Sequence, residues 1–169
     1  MTEAQWLARE EPDGVLQFLL NERARAGGSD RCPGRHVTDR KLRLFAAGIC
    51  RRYWGSLNQE QARRAVEVAE RYADGMAGGD ELDAVHSVPG GFRIVMATGN
   101  PRTAPALACL SEAAVAAQGV LAVCRSVRPD FSFKFWTFKK RREQMRRAHL
   151  ALLRDVFGNP FRPVAFSPE

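Results

Sequence analysis

Few of the signatures that mark an enzyme occur in this sequence of 169 residues. It has no GxxxxGK[ST] or GxGxxG loop that would hold a phosphate group. No cluster of acid, base and nucleophile stands out among its titratable residues. Its four cysteines include no CxxC pair, and their spacing predicts neither a disulfide framework nor a complete zinc site. We therefore expect buried free thiols, and we assign no catalytic residue, metal or cofactor.

Long hydrophobic runs are also missing. The longest, Ala113 to Cys124, has 12 residues and includes Gln118 and Gly119. As a helix it would span about 18 Å, which is short of the roughly 30 Å hydrocarbon core of a bilayer. The first residues, MTEAQWLAREEPDG, are acidic where a secretory signal has a basic start and an apolar stretch. We therefore expect a cytoplasmic protein without a transmembrane segment.

The clearest pattern in the chain predicts an antiparallel helix hairpin over residues 38–77. Apolar residues recur three and four positions apart in both arms, as on one face of a helix. In the first arm they are Leu42, Phe45, Ala46, Ile49, Tyr53 and Leu57; in the second they are Ala62, Ala65, Val66, Ala69, Tyr72, Ala73 and Met76. Thr38 or Asp39 can cap the first arm. We expect Phe45 and Tyr72 to face each other in the hairpin core.

The remaining sequence predicts a single helical domain, residues 1–169, built around this hairpin. Further helices are expected within 1–25, 80–86, 103–125 and 134–157, with a loop at 26–37 and an extended tail at 158–169. Residues 88–102 are irregular, or else hold a short strand, Phe92 to Ala97, whose partner would be Val164 to Phe166. The predicted fold class is therefore an all-α helical bundle, with one short two-stranded β element as the alternative at 88–102.

The last predicted helix, residues 134–157, is unusually basic. Residues 132–154 contain eight basic side chains and one acidic side chain, which gives 8 − 1 = +7, equal to the formal charge of the whole chain. The basic side chains expected to face away from the apolar side are Lys139, Lys140, Arg146, Arg147 and Arg154. A basic amphipathic helix can bind nucleic acid, an anionic membrane surface or an acidic protein. These five residues are our candidates for phosphate or partner binding.

Two other groups of residues have types that could form a chemical site. Cys32 and His36 have a spacing that zinc ligands use, but the sequence offers no matching second pair. Asp39, Glu67, Glu70 and His149 are the titratable residues nearest to an acid–base set. His149 lies on the apolar side of its helix, where a histidine is usually part of the core. Neither group favours an enzyme.

Three segments, TDRKLRLFAAGICRRYW, RRAVEVAERYADG and LLRDVFGNPFRPV, together resemble a group of alanine-rich helical proteins that is numerous in planctomycete bacteria. The segments cover 43 of the 169 residues. The resemblance implies a helical fold and brings no assigned activity or catalytic residue. From the sequence we expect a non-catalytic protein–protein interaction or scaffold module, whose partner is another protein. The alternative is DNA or RNA binding through the basic helix.

Overall fold

The structure, a computed structural model, describes six stretches of the chain: residues 1–25, 37–52, 54–56, 60–86, 113–125 and 135–162. For 121–125 and 135–142 the backbone alone is described. Seven α-helices lie in these stretches: α1 (Glu3–Ala8), α2 (Pro12–Arg25), α3 (Asp39–Arg52), α4 (Glu60–Ala73), α5 (Gly79–His86), α6 (Ala113–Arg125) and α7 (Phe135–Phe157). A single 3-10 turn, Trp54–Ser56, follows α3. The six stretches contain no β-strand, so their architecture is all-α.

Helix α3 is the centre of the bundle. It packs against α4, α6 and α7, and its buried side chains point in most directions around the helix axis. They are Leu42, Arg43, Phe45, Ala46, Ala47, Ile49 and Cys50. Thr38 caps the helix by accepting a hydrogen bond from the Lys41 amide at 3.2 Å. The antiparallel hairpin on which the sequence prediction was based is therefore present, with its first arm covered almost completely.

The second arm, α4, ends in a motif that requires glycine. Gly75 has a φ of +74°, which side-chain-bearing residues rarely adopt. The Met76 amide donates to the Arg71 carbonyl at 2.7 Å, and the Gly75 amide donates to the Tyr72 carbonyl at 3.1 Å. These two bonds form a Schellman motif. Helix α5 then packs back against α4.

The structure corrects the expected position of Tyr72. Its side chain is 37% exposed, and the Arg43 guanidinium lies 4.8 Å from its ring centroid. Phe45 is fully buried as expected, but it packs edge-on against Phe157 of α7, with ring centroids 6.2 Å apart. The core around Phe45 therefore extends from α3 to α7, and Tyr72 covers the edge of the hairpin.

The charged face of α4 forms ion pairs between helices. Arg71 pairs with Glu81 of α5 at 2.8 Å. Glu70 pairs with Arg51 of α3 at 2.5 Å. Asp74 pairs with Arg40 of α3 at 2.7 Å. These three pairs connect α4 to its two neighbours.

Three boundaries differ from the prediction or are only partly described. Within the predicted helical region 1–25, helix α2 begins at Pro12, because proline suits the first helical position. Residues 159–162 form a turn in place of extended chain: the Asn159 side chain accepts from the Phe161 amide, and the Arg162 amide donates to the Asn159 carbonyl. The alternative strands, the Cys32–His36 pair and residues 103–112 of a predicted helix lie outside the described residues.

We expect Phe45→Ala to lower the free energy of unfolding by about 3–5 kcal/mol, because it removes a fully buried ring from the centre of the bundle. Tyr72→Ala should cost about 1 kcal/mol, since that ring is partly exposed. Urea denaturation of both variants measures the difference. Equal shifts of the two midpoints would show that the rings contribute equally to the core.

Candidate functional site

The predicted basic side chains of α7 fall into three groups in the structure. Arg146 and Arg154 are turned toward the N-terminal segment and bind it. Arg147 is 78% exposed, and its Nε donates to Glu143 on the same helix at 2.8 Å. The side chains of Lys139 and Lys140 lie outside the described residues. The five residues therefore do not share one role, and their binding of phosphate stays a prediction.

Arg154 holds the end of α1. Its Nη2 lies 3.1, 2.8 and 2.9 Å from the carbonyl oxygens of Trp6, Leu7 and Arg9. The last carbonyls of a helix have no partner within the helix, and the helix dipole makes this end negative. The Arg154 guanidinium donates hydrogen bonds to these carbonyl oxygens, and its positive charge is favourable at the negative end of the helix. Arg154 therefore serves as the C-terminal cap of a helix about 145 residues earlier in the chain.

Further contacts hold the N-terminal segment along α7 and the turn that follows. Arg146 forms ion pairs with Glu10 at 3.3 Å and with Glu11. The hydrogen bonds that Arg146 donates to the carboxylates of Glu143 and Glu11 raise its pKa further above the ordinary value. The Glu3 carboxylate accepts from the Asn159 side chain at 2.8 Å and pairs with Arg162 at 2.6 Å.

An aromatic row completes this attachment. Trp6, which is 1% exposed, lies against Phe18 of α2 with ring centroids 6.1 Å apart. Phe161 stacks on the same Phe18 ring at 5.9 Å. Burial of a tryptophan of this size contributes more to docking than any single exposed ion pair. Trp6 and Arg154 together therefore determine where α1 lies.

With α1 fixed in this way, a groove of about 650 Å³ opens between α1 and α2. It is the candidate functional site. The residues that line it are Met1, Gln5, Ala8, Arg9, Gly14, Gln17, Phe18, Asn21 and Arg25. The members from α2 recur at intervals of three and four, so they form one stripe along that helix. The groove therefore follows the length of α2, with α1 on its other side.

Gly14 shapes one end of the groove. A Cβ atom at this position would lie 2.6 Å from Nη2 of Arg9, so a side chain here would displace the guanidinium. Further along α2, the Gln17 amide donates to the Asn21 side chain at 3.0 Å and accepts from Gln118 of α6 at 3.4 Å. The middle of the groove thus combines amide groups with the apolar surfaces of Ala8 and Phe18.

The ionisable side chains in the groove are both arginines. Arg25 pairs with Glu22 at 2.5 Å, but both side chains are largely exposed, at 74% and 45%. Arginine stays protonated at every physiological pH, so neither Arg9 nor Arg25 can exchange a proton with a substrate. The arrangement can bind carboxylates, amides and apolar groups.

Comparisons with protein-family models, curated proteins and solved structures find no match to this chain. Within the part of the chain that the structure describes, no His, Cys, Asp and Glu side chains gather into a group that could hold a metal ion. The described helices include none that is long and apolar enough to cross a membrane.

The predicted acid–base candidates lie in different places. Asp39 pairs with Arg23 at 2.5 Å at the start of α3, while Glu70 pairs with Arg51 near its end, about 18 Å along the helix. His149 is 3% exposed within the core, as its apolar position predicted. Burial is the main reason that its pKa is lowered to about 4; the charge of Arg52 contributes to this shift, and Asp13 opposes it.

The groove was not predicted from the sequence. The sequence predicts only that residues 1–25 form helices in a domain built around the hairpin. The stripe of α2 that faces the groove can be recognised in the sequence, because Gly14, Gln17, Asn21 and Arg25 recur at helical intervals. Such a polar stripe is usually solvated, however, and only the position of α1 makes it one side of a groove.

We expect Arg154→Met to release α1 without unfolding the bundle. Loss of hydrogen bonds from a charged group costs about 1.5–3 kcal/mol, so amide exchange in Glu3–Ala8 should accelerate about tenfold or more. Arg147→Met is the matched control, because that side chain is exposed on the same helix. Unchanged exchange of α1 in Arg154→Met, or equal acceleration in the control, would contradict this role.

His149 should make stability depend on pH. Below its ordinary pKa of 6.5 the unfolded chain binds a proton at this side chain, whereas the folded protein does so only near pH 4. The free energy of unfolding should therefore fall by up to about 1.4 kcal/mol per pH unit as pH drops through this window. His149→Gln should remove this part of the slope, as urea titrations at several pH values can measure. A variant with the wild-type slope would contradict the assignment.

Proposed function

We propose that this protein is a non-catalytic helical module that binds another protein through the groove between α1 and α2. The observation that supports this most is the lining of the groove. It joins apolar surface, side-chain amides and two permanently charged arginines. Binding sites for peptides combine an apolar floor with a few polar groups that fix orientation. A reaction would need a group that can give or take a proton, and neither ionisable side chain here can do so.

The state of the candidate acid–base residues also favours binding over catalysis. Asp39 and Glu70 are occupied by Arg23 and Arg51. His149 is enclosed in the core between α2 and α3, away from solvent. An ion pair at the surface of a bundle and a neutral core histidine are both common in proteins without enzymatic activity.

Nucleic-acid binding through α7 is the second candidate, supported by the exposed Arg147 on a helix with a +7 segment. The contacts of Arg146 and Arg154 weaken it, because both side chains are used within the chain. Arg147→Glu is the cleaner test variant, since Arg146→Glu would also disturb Glu10 and Glu11. If the protein shifts the mobility of DNA or RNA in a gel at low salt, and Arg147→Glu reduces this shift, nucleic-acid binding would be favoured over binding in the groove.

The proposed role of the groove in binding can be tested by filling it with a large side chain. Ala8 is exposed on its rim, and Ala8→Trp should fill part of the volume without disturbing the core. Ala84→Trp, the same change at an exposed position of α5, is the control. We expect peptides selected from a displayed random library on the wild-type protein to lose about tenfold or more in affinity for Ala8→Trp and to bind Ala84→Trp normally.

Two results would contradict the proposal. One is a library that yields no peptide above background at micromolar protein. The other is a set of selected peptides that bind Ala8→Trp as tightly as they bind the wild type. Circular dichroism of both tryptophan variants checks that the helices are retained, so that loss of binding is not loss of fold.

A further inference from the structure

We propose that the groove binds an acidic amphipathic helix of the partner protein, with two carboxylates eleven residues apart on one face. This inference rests on the proposed function and specifies the partner for the same groove. Three features support it: the direction of the groove, the positions of its two arginines, and the chemistry of the surface between them.

The groove has the shape of a site for a helix. Its stripe on α2 runs from Gly14 to Arg25, which is eleven residues or about 16 Å along the helix axis. Gln5 and Ala8 of α1, together with Arg9 directly after the helix, form the opposite wall. A third helix that lies lengthwise in such a groove packs one face against both walls, as in other helix-in-groove complexes.

The two arginines mark the ends of the stripe. The Arg9 guanidinium lies against Gly14, and Arg25 closes the other end. On a bound helix that runs along α2, carboxylates eleven residues apart are also about 16 Å apart, and they differ by only about 20° around the axis. Such a helix can therefore place one carboxylate on each arginine. Arginine and carboxylate form paired, charge-assisted hydrogen bonds.

Both arginines are available for this contact. Among the residues that the structure describes, no ion pair involves Arg9. Arg25 is held by Glu22, but an exposed ion pair of this kind contributes little and a second carboxylate can replace it. Glu22 therefore acts as an internal competitor for the partner's acidic side chain.

The surface between the two arginines indicates which side chains we expect in the middle of the partner helix. Phe18 and Ala8 offer apolar contact, with Gln17 and Asn21 beside them. The residues of the partner helix between its two carboxylates should therefore present a leucine-sized side chain toward Phe18.

The test uses two synthetic helical peptides of identical composition and a leucine in the middle. One has glutamates at positions i and i+11; the other has them at i and i+9, which places the second glutamate on the opposite face. In fluorescence-anisotropy titrations at low salt, we expect the first peptide to bind about tenfold or more tightly. Arg9→Gln with Arg25→Gln should remove this difference, while Arg64→Gln, an exposed arginine of α4, should leave it unchanged. Glu22→Gln should strengthen binding of the first peptide.

Equal affinities for the two peptides would overturn the inference, as would a difference that survives the double substitution. If library peptides depend on Ala8 but the glutamate spacing has no effect, the groove binds protein and the partner chemistry is wrong. If no library peptide depends on Ala8, the proposed function fails as well. Groove-dependent binding of an oligonucleotide, or self-association that Ala8→Trp abolishes, would identify another occupant and overturn the inference.

Discussion

The hydrogen bonds from Arg154 to the end of α1 are the interaction on which the candidate site depends. Helix α1 has six residues, and isolated helices shorter than about 12–15 residues are marginal in water. Its stability must therefore come from tertiary contacts. Arg154 satisfies its last carbonyls, and Trp6 fixes its apolar side in the core. Because α1 is one wall of the groove, a contact between the two ends of the chain creates the surface we assign to binding.

Helix α3 provides the frame that makes this arrangement possible. A helix that is covered on most sides can carry few polar groups, and Arg43 is the buried charged side chain among those described on α3. Its guanidinium lies over the Tyr72 ring, which offers a cation a favourable electrostatic contact. The edge position of Tyr72 follows from this pairing. Helix α2 packs against α6 and α7, and its buried residues Val15, Leu16 and Leu19 attach the groove wall to the core.

The sequence was sufficient to predict the parts of the fold that depend on local periodicity. The described boundaries of α3, α5 and α7 agree with the predicted segments to within a few residues. The ion pairs could not be predicted, because Arg71 has acidic neighbours within reach both on its own helix and on α5. Only the packing of α4 against α5 decides that it pairs with Glu81.

The groove was less predictable than the helices for a related physical reason. Its residues are polar or small, and in a single helix such residues indicate a solvated face. Two conditions turn that face into a site: Arg154 reaches α1 from the far end of the sequence, and Gly14 leaves room for the Arg9 guanidinium. Neither condition has a local sequence pattern, since each depends on a contact between elements.

The charge distribution has a different meaning in the folded chain than in the sequence. Residues 1–14 contain four acidic side chains and one basic side chain, a balance of 1 − 4 = −3. This acidic segment lies along the basic α7, where Arg146 pairs with Glu10 and Glu11. Part of the +7 of the basic segment is thus balanced within the molecule, and a high isoelectric point identifies a polyanion partner only where the cations remain exposed. Two arginines at the ends of an open groove carry more information about a partner than the total charge does, because their spacing restricts which acidic surface can fit.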